Sequence, residues 1–215
     1  MNKLIQKLKT TNEEVSAAIL NYMLVELDTN KVLNYNIFGL TEDIFIKDGK
    51  NILDYLADVN LLTGICLVLK RENIRDKFVD KYSYGGNMSP LAMSISACAK
   101  GAVLIVGKPL VILGAGDSAK WRKYWSSIYF QSIPLLLIDA QRVYHLPKPS
   151  IQKCIRKRKS EIKKSMVWYQ FLLQIFNMKW SKMASIYGIS FVILALIKAP
   201  IMIFLQTKLG QKLLK

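Results

Sequence analysis

Through the first two thirds of the chain, apolar residues come in short runs divided by polar and glycine-bearing stretches, the spacing of strands and short helices. Residues 11–28 open on Glu13 and Glu14 and continue as AAILNYMLVEL, which fits a buried strand or a short helix. Asp28, Thr29 and Asn30 supply turn chemistry, and residues 32–38 alternate well enough for a strand that ends before Gly39. From Asp48, the segment DGKNILDYLADVN predicts a short helix with Ile52, Leu53 and Leu56 on its apolar face. LLTGICLVL at 61–69 reads as a buried strand closed by the polar KREN.

The glycines of YSYGGNMSP, 82–90, predict a loop. Ser89 followed by Pro90 makes a good helix start, a hydroxyl cap before a residue that needs no amide partner, and that helix stops at Gly101. AVLIVG at 102–107 is a predicted strand that Lys108 and Pro109 end, with LVIL as a further short strand. Gly114, Gly116 and Asp117 form a loop, and Asp117 or Ser118 caps the helix containing WRKYWSSIYF. Pro134 starts or kinks the next helix, which reaches His145; Pro147 and Pro149 then close the globular part. The expected class is α/β, with one domain over 1–147 and a different region over 148–215.

Beyond Pro149 the period changes. Ile155, Ile162, Met166, Tyr169, Leu173, Phe176, Trp180, Met183 and Tyr187 are spaced by sevens, threes and fours, one helical stripe. Arg156, Lys157, Arg158, Lys159, Lys163 and Lys164 lie off it. Residues 185–205 then carry a single charge, Lys198, and Pro200. That length just crosses a hydrocarbon core of about 30 Å. The depth of Lys198 and Pro200 favours an in-plane or partly inserted helix over a span; two soluble helices packed on the domain are the alternative.

Charge sharpens this picture. The net charge is +16, and 148–215 hold fourteen Lys/Arg against one acid, Glu161. Each basic residue near an anionic bilayer contributes roughly 1 kcal/mol, so six suffice for reversible anchoring. Trp168 and Trp180 belong to an apolar, aromatic-rich pattern that needs packing or membrane insertion. A basic, aromatic-laced segment also fits single-stranded nucleic acid, but the apolar pattern places membrane ahead of it. At 52% hydrophobic residues the chain has enough apolar surface to order itself. Cys66, Cys98 and Cys154 are scattered and odd in number, which points to reduced thiols in a cytosolic compartment, and no secretion signal is read at the start. His145 is the only histidine, so no histidine metal cluster or triad can be assembled; its place beside Pro147 fits helix capping.

One resemblance rests on element order: the helix NILDYLADV, the small-residue strand at Thr63, Gly64 and Ile65 followed by Arg71 and Glu72, and the glycine loop. The helix closing on Gly101, the step Lys108-Pro109-Leu110, and Gly116-Asp117-Ser118 before Trp121 complete it. Over residues 14–145 this resembles the second half of bacterial family 2 glycosyltransferases, especially the abequosyltransferase-like branch of O-antigen and capsule assembly. The resemblance implies a partial GT-A-like mixed sheet with flanking helices, here followed by amphipathic and hydrophobic membrane-associated helices. It makes Asp80, Tyr82, Tyr84, Asn87 and Ser89, with Asp117, the expected substrate-binding set. Rings stack on pyranose faces and amides meet hydroxyls, although ordinary loop chemistry and capping explain the same residues. Arg156, Lys157, Arg158, Lys159, Lys163, Lys164, Trp168 and Trp180 form the expected membrane-binding set.

The family's donor half, with its paired carboxylates for a divalent ion, has no counterpart; Glu26 and Asp28 are the nearest carboxylates and fall after that site. Where some members carry a Glu-Asp pair as base, this chain has Ser89 and Pro90, so no catalytic residue or metal site is assigned. Nucleotide sugar and divalent metal are expected only with a donor half supplied in trans. The implied role is the acceptor-side and membrane half of a sugar transferase, on the cytoplasmic face of a bacterial inner membrane. A lipid-linked sugar would be its acceptor. A non-catalytic membrane adaptor or remnant that binds a protein partner is the alternative.

Overall fold

The aliphatic run after Glu14 forms a long strand, β1 (Val15–Glu26), and the turn at Asp28 and Thr29 returns it to a short antiparallel strand, β2 (Val32–Asn34). Asn30 takes up the left-handed backbone at φ 54°, a conformation its short side chain tolerates. The computed structural model describes residues 14–56, 62, 67–83, 88–115, 127–164, 171–172, 175–176 and 180–206, with only the backbone at 115, 163–164, 199, 202–203 and 205–206. The protein is α/β, with a mixed sheet flanked by helices. Contacts divide it into two compact units, 1–118 with 139–151, and 119–138 with 152–215.

In the first unit the sheet order is β2-β1-β5-β3, where β3 is Ile44–Ile46 and β5 is Ala102–Ala115. A further short strand, β4 (Leu67–Leu69), lies antiparallel along residues 17–19 of β1. β1 and β5 run parallel from Val15 and Ala102 to Glu26 and Ala115, and β3 runs antiparallel to β5. Residues 16–20 and 102–106 are buried on both faces, as central parallel strands require. Lys108 and Pro109 do not end the second strand as expected. Residues 107–110 bulge out opposite Asn21, and parallel pairing resumes at Val111. Proline is tolerated there because the bulge needs no ladder hydrogen bond from it.

Asp48 accepts from the Lys50 amide and starts a short 3-10 turn, which leads into α1 (Ile52–Tyr55) with Ile52, Leu53 and Leu56 buried as the pattern predicted. Of the expected strand at 61–69, residues 67–69 are strand; 61 and 63–66 lie outside the described residues. α2 (Lys77–Ser83) occupies the approach to the predicted loop, and α3 (Ser89–Ala99) follows it. Ser89 is not the cap: the cap position is Met88, which makes no side-chain capping bond, and Pro90 sits in the first turn. α3 packs on β1, β4 and α2, burying Leu91, Ile95 and Cys98.

A π-helical turn, Ile128–Ser132, leads into α4 (Ile133–Tyr144), and His145 leaves that helix at φ 58°. α5 spans Lys148–Lys164, α6 Trp180–Tyr187 and α7 Ile189–Gln206. The boundary expected after 147 differs from the contact division, because Phe130 belongs to the second unit's core with Ile162, Phe171, Met183 and Val192. Phe171 meets Phe130, Tyr187 and Phe191 edge-on at 5.1 to 5.6 Å, and the buried Tyr187 hydroxyl donates to the Phe130 carbonyl at 2.8 Å. The helix expected at 185–205 is interrupted at Gly188, and the stripe expected from 155 to 187 falls partly outside the described residues. Gly188, at φ 86°, closes α6 by donating its backbone N–H to the Ala184 carbonyl at 2.8 Å.

Candidate functional site

An open concavity in the first unit sits where β5 bulges. The Asn21 side chain, fully buried, occupies the gap in the ladder: its amide nitrogen donates to the Gly107 carbonyl and to Asn36 Oδ1, each at 2.5 Å. Its oxygen accepts from the amides of Tyr22 and Phe38. On the far side the Gly107 amide donates to Asp43 Oδ1 at 3.0 Å. A Cβ on Gly107 would lie 2.2 Å from the Glu42 carbonyl oxygen, so only glycine lets the 40–43 loop approach. Asn36 pins the same loop by donating to the Leu40 carbonyl at 2.7 Å. The result is an open cleft of about 990 Å³ with a fixed floor, lined by Tyr35, Thr41, Glu42, Asp43, Lys108 and Pro109 among others.

A carboxylate pair, an ammonium, a phenol and a hydroxyl here face Leu40 and Pro109. That mixture suits a ligand with hydroxyls on its rim and an apolar face. None of these residues was expected as a binding residue from sequence, although Lys108 and Pro109 were read as a strand end. The signal that could have found them is the Gly107-Lys108-Pro109 break inside an aliphatic run, which marks a bulge in a buried strand. Among the described residues, no group of three or more His, Cys, Asp or Glu converges as a metal site. Glu26 accepts from Thr29 within the β1–β2 turn.

The expected substrate residues fall elsewhere in the same unit. Tyr82 donates to Asp139 Oδ2 at 2.7 Å, and Lys81 bonds the same oxygen at 2.5 Å. Burial, and then the Asp139 carboxylate, push the Tyr82 phenol well above its ordinary range. Tyr82 therefore ties α2 to the 139–144 end of α4. Asp80 is exposed, and its amide bonds the Asp76 carbonyl. The Ser89 hydroxyl lies 3.4 Å from that of Ser83. Tyr84, Asn87 and Asp117 lie outside the described residues.

Beside them Asp76 gathers four donors: the Val79 amide, Ser96, Lys100 and the Tyr144 phenol, at 2.5 to 2.9 Å. Burial alone would raise this carboxyl, but the bonds from Lys100, Tyr144, Val79 and Ser96 outweigh it and hold it well below the usual carboxylate range. Phe78 packs against Tyr82 and Tyr144, both at 5.1 Å between ring centroids. These groups satisfy one another, which makes them a structural lock rather than a reactive site.

In the second unit the exposed surface is of another kind. α7 buries Phe191, Val192 and Ala195, yet leaves Ile189, Ile193, Leu196, Ile197, Ile201 and Phe204 between 38% and 58% exposed. Trp180 on α6 is 55% exposed. Of the expected cationic set, Arg156 and Lys157 are exposed on α5 and Lys159 is half-buried, its ammonium 5.5 Å from the Phe191 ring centroid. Arg158 is a correction. It is 3% exposed, with its guanidinium over the Tyr129 ring at 3.8 Å, so the neighbouring aromatic has drawn it away from any surface. The Tyr129 phenol in turn donates to Glu161, the one acid of this region. The side chains of Lys163 and Lys164, and Trp168 entirely, lie outside the description. Set beside family models, curated proteins and solved structures, the chain finds no match in any of the three.

Proposed function

We propose that this protein works at an anionic membrane surface as a glycosyltransferase-like protein that handles a lipid-linked saccharide. It serves as the acceptor-side half of a sugar transferase in cell-surface polysaccharide synthesis. The observation that carries the membrane part is the row of exposed apolar side chains on α7, in a unit whose α5 displays Arg156 and Lys157. Six half-exposed large side chains gain about 1 kcal/mol each on insertion, and each nearby cation adds roughly 1 kcal/mol. That total supports stable yet reversible attachment.

The saccharide part rests on the family resemblance and on the cleft at the β5 bulge. There Tyr35 offers a ring for a pyranose face, and Thr41, Glu42 and Asp43 offer hydroxyl partners. On this reading the sheet is the partial GT-A-like half, and the membrane is the cytoplasmic leaflet of a bacterial inner membrane. A donor half acting in trans brings the nucleotide sugar and its divalent metal.

The test is flotation with three vesicle types: neutral, anionic, and anionic carrying a lipid-linked oligosaccharide. Binding to anionic vesicles at least tenfold above neutral ones, raised further by the oligosaccharide and returned to the plain anionic level by Tyr35→Ala with Glu42→Gln, supports both parts. Equal flotation with and without the oligosaccharide refutes the saccharide part and favours the adaptor reading. Failure to float at all removes the whole proposal.

A further inference from the structure

We infer that α7 lies in the plane of a single leaflet, its isoleucine side set among headgroups and upper acyl chains, and does not cross the bilayer. This rests on the membrane reading above and adds to it an orientation and a face. Ile189, Ile193, Ile197, Ile201 and Phe204 step by four, four, four and three, so they wind gently within about 120° of one side of the helix, the width of a single apolar face. That stripe runs roughly 22 Å at 1.5 Å per residue. A stripe of this kind stays near one depth only when the axis lies parallel to the membrane.

The opposite side of α7 is held by protein. Phe191, Val192 and Ala195 are buried in the core of the second unit, with Ile162, Phe171 and Tyr187. A crossing helix would have to carry that core into the hydrocarbon, including the Tyr129–Glu161 pair and Arg158. Gly188 adds a second constraint: it turns α7 away from α6 by 114°, so the two helices form an elbow rather than one rod. α6 keeps Trp180 exposed, an amphipathic ring suited to headgroup level. Lys198, exposed and one position off the stripe, reaches its ammonium to the phosphates while its methylenes stay with the chains.

Charge identifies the occupant of this face. The region from 148 onward carries fourteen cations against one acid, so two copies face to face would repel. A nucleic acid would satisfy the cations and leave the isoleucines in water. A leaflet rich in anionic lipid meets both demands with one surface. Lys159 above Phe191 places α5 cations beside the buried side of α7.

The experiment is depth measurement by spin labelling of the full chain on vesicles of three parts phosphatidylcholine to one part phosphatidylglycerol. Single cysteines replace residues 189, 193, 197, 201 and 204 in turn, in a background with Cys66, Cys98 and Cys154 changed to alanine. Accessibility to oxygen and to a water-soluble nickel chelate should put all five labels just below the phosphates, within about 5 Å of one another and with no steady trend from 189 to 204. A graded depth from 189 to 204 through the bilayer centre, in protein that still floats, overturns this inference and leaves the membrane reading standing. Absence of flotation overturns both. Should the cysteine-free background fold poorly, unmodified vesicle-bound protein is digested with external trypsin. Cleavage at Lys208 and Lys212 as fast as at Lys153 and Lys157 supports one-leaflet seating, and protection of the former pair refutes it.

Discussion

Replacing Asp76 with alanine removes the acceptor shared by Val79, Ser96, Lys100 and Tyr144. Hydrogen bonds to a charged group contribute about 1.5–3 kcal/mol each, but four bonds to one carboxylate do not add independently. Asp76 and Lys100 side chains retain 23% and 29% exposure, so water reaches the pair and relieves part of the penalty. That places the loss near the lower end expected for breaking a partly buried ion pair, about 3 kcal/mol at pH 7. For a chain of this size the melting temperature should fall by roughly 6–12 °C.

The pH dependence follows from the direction of the shift. The folded carboxyl ionises below its unfolded counterpart, whose pKa is about 3.9. Its contribution is therefore complete above that unfolded value and is lost as pH falls toward the folded one. By linkage, about 1 kcal/mol of the difference between native and Asp76→Ala protein should be gone by pH 3, with none lost between pH 5 and 8. Urea unfolding of both proteins across pH 3–8 measures it. A difference under about 0.5 kcal/mol at pH 7, or one that stays constant down to pH 3, would refute the claim that this carboxylate locks α2, α3 and α4 together.

Three further substitutions probe the backbone and the cleft. Gly107→Ala forces a methyl against the Glu42 carbonyl and should cost more than about 2 kcal/mol in urea unfolding, whereas Gly188→Ala meets open space and should lose only about 1 kcal/mol of left-handed strain; equal costs would contradict the close approach at Gly107. Asn21→Ala strands the Gly107 carbonyl and the Phe38 amide in a buried setting and should cost about 2–3 kcal/mol, with a change below about 0.5 kcal/mol arguing that the bulge is held some other way.

Much of the sheet was legible because β1 and the start of β5 are dense aliphatic runs, although at β1 the run fitted a short helix as well as the strand it forms. The strand at LVIL was read as well, but not its union with 102–107 in one strand, since the bulge that admits proline depends on Asn21, 86 residues from Gly107. α2 hid in KFVDKYS, where only Phe78 and Val79 face inward and the nearby glycines suggest a loop. The cleft joins residues 35–43 to 108–110, a proximity created by the sheet and invisible in linear order. In the tail, cationic character was readable from composition, but the withdrawal of Arg158 required knowing that Tyr129 folds back onto α5. Gly188 was read as part of a continuous segment because its left-handed backbone, not its composition, breaks the helix.

The parallel pairing of β1 with β5 also shapes how the molecule is made. The Ser16 hydroxyl reaches the carbonyls of Ala97 and Ala102, partners 81 and 86 residues downstream. Closing a loop of that span costs about 4 kcal/mol in chain entropy before any strand contact compensates. During synthesis the oily first strand must wait for its mate to leave the ribosome, and until then it is a bare edge that other nascent chains can capture. Yield in the cell should accordingly track chaperone supply and translation speed more closely than equilibrium stability.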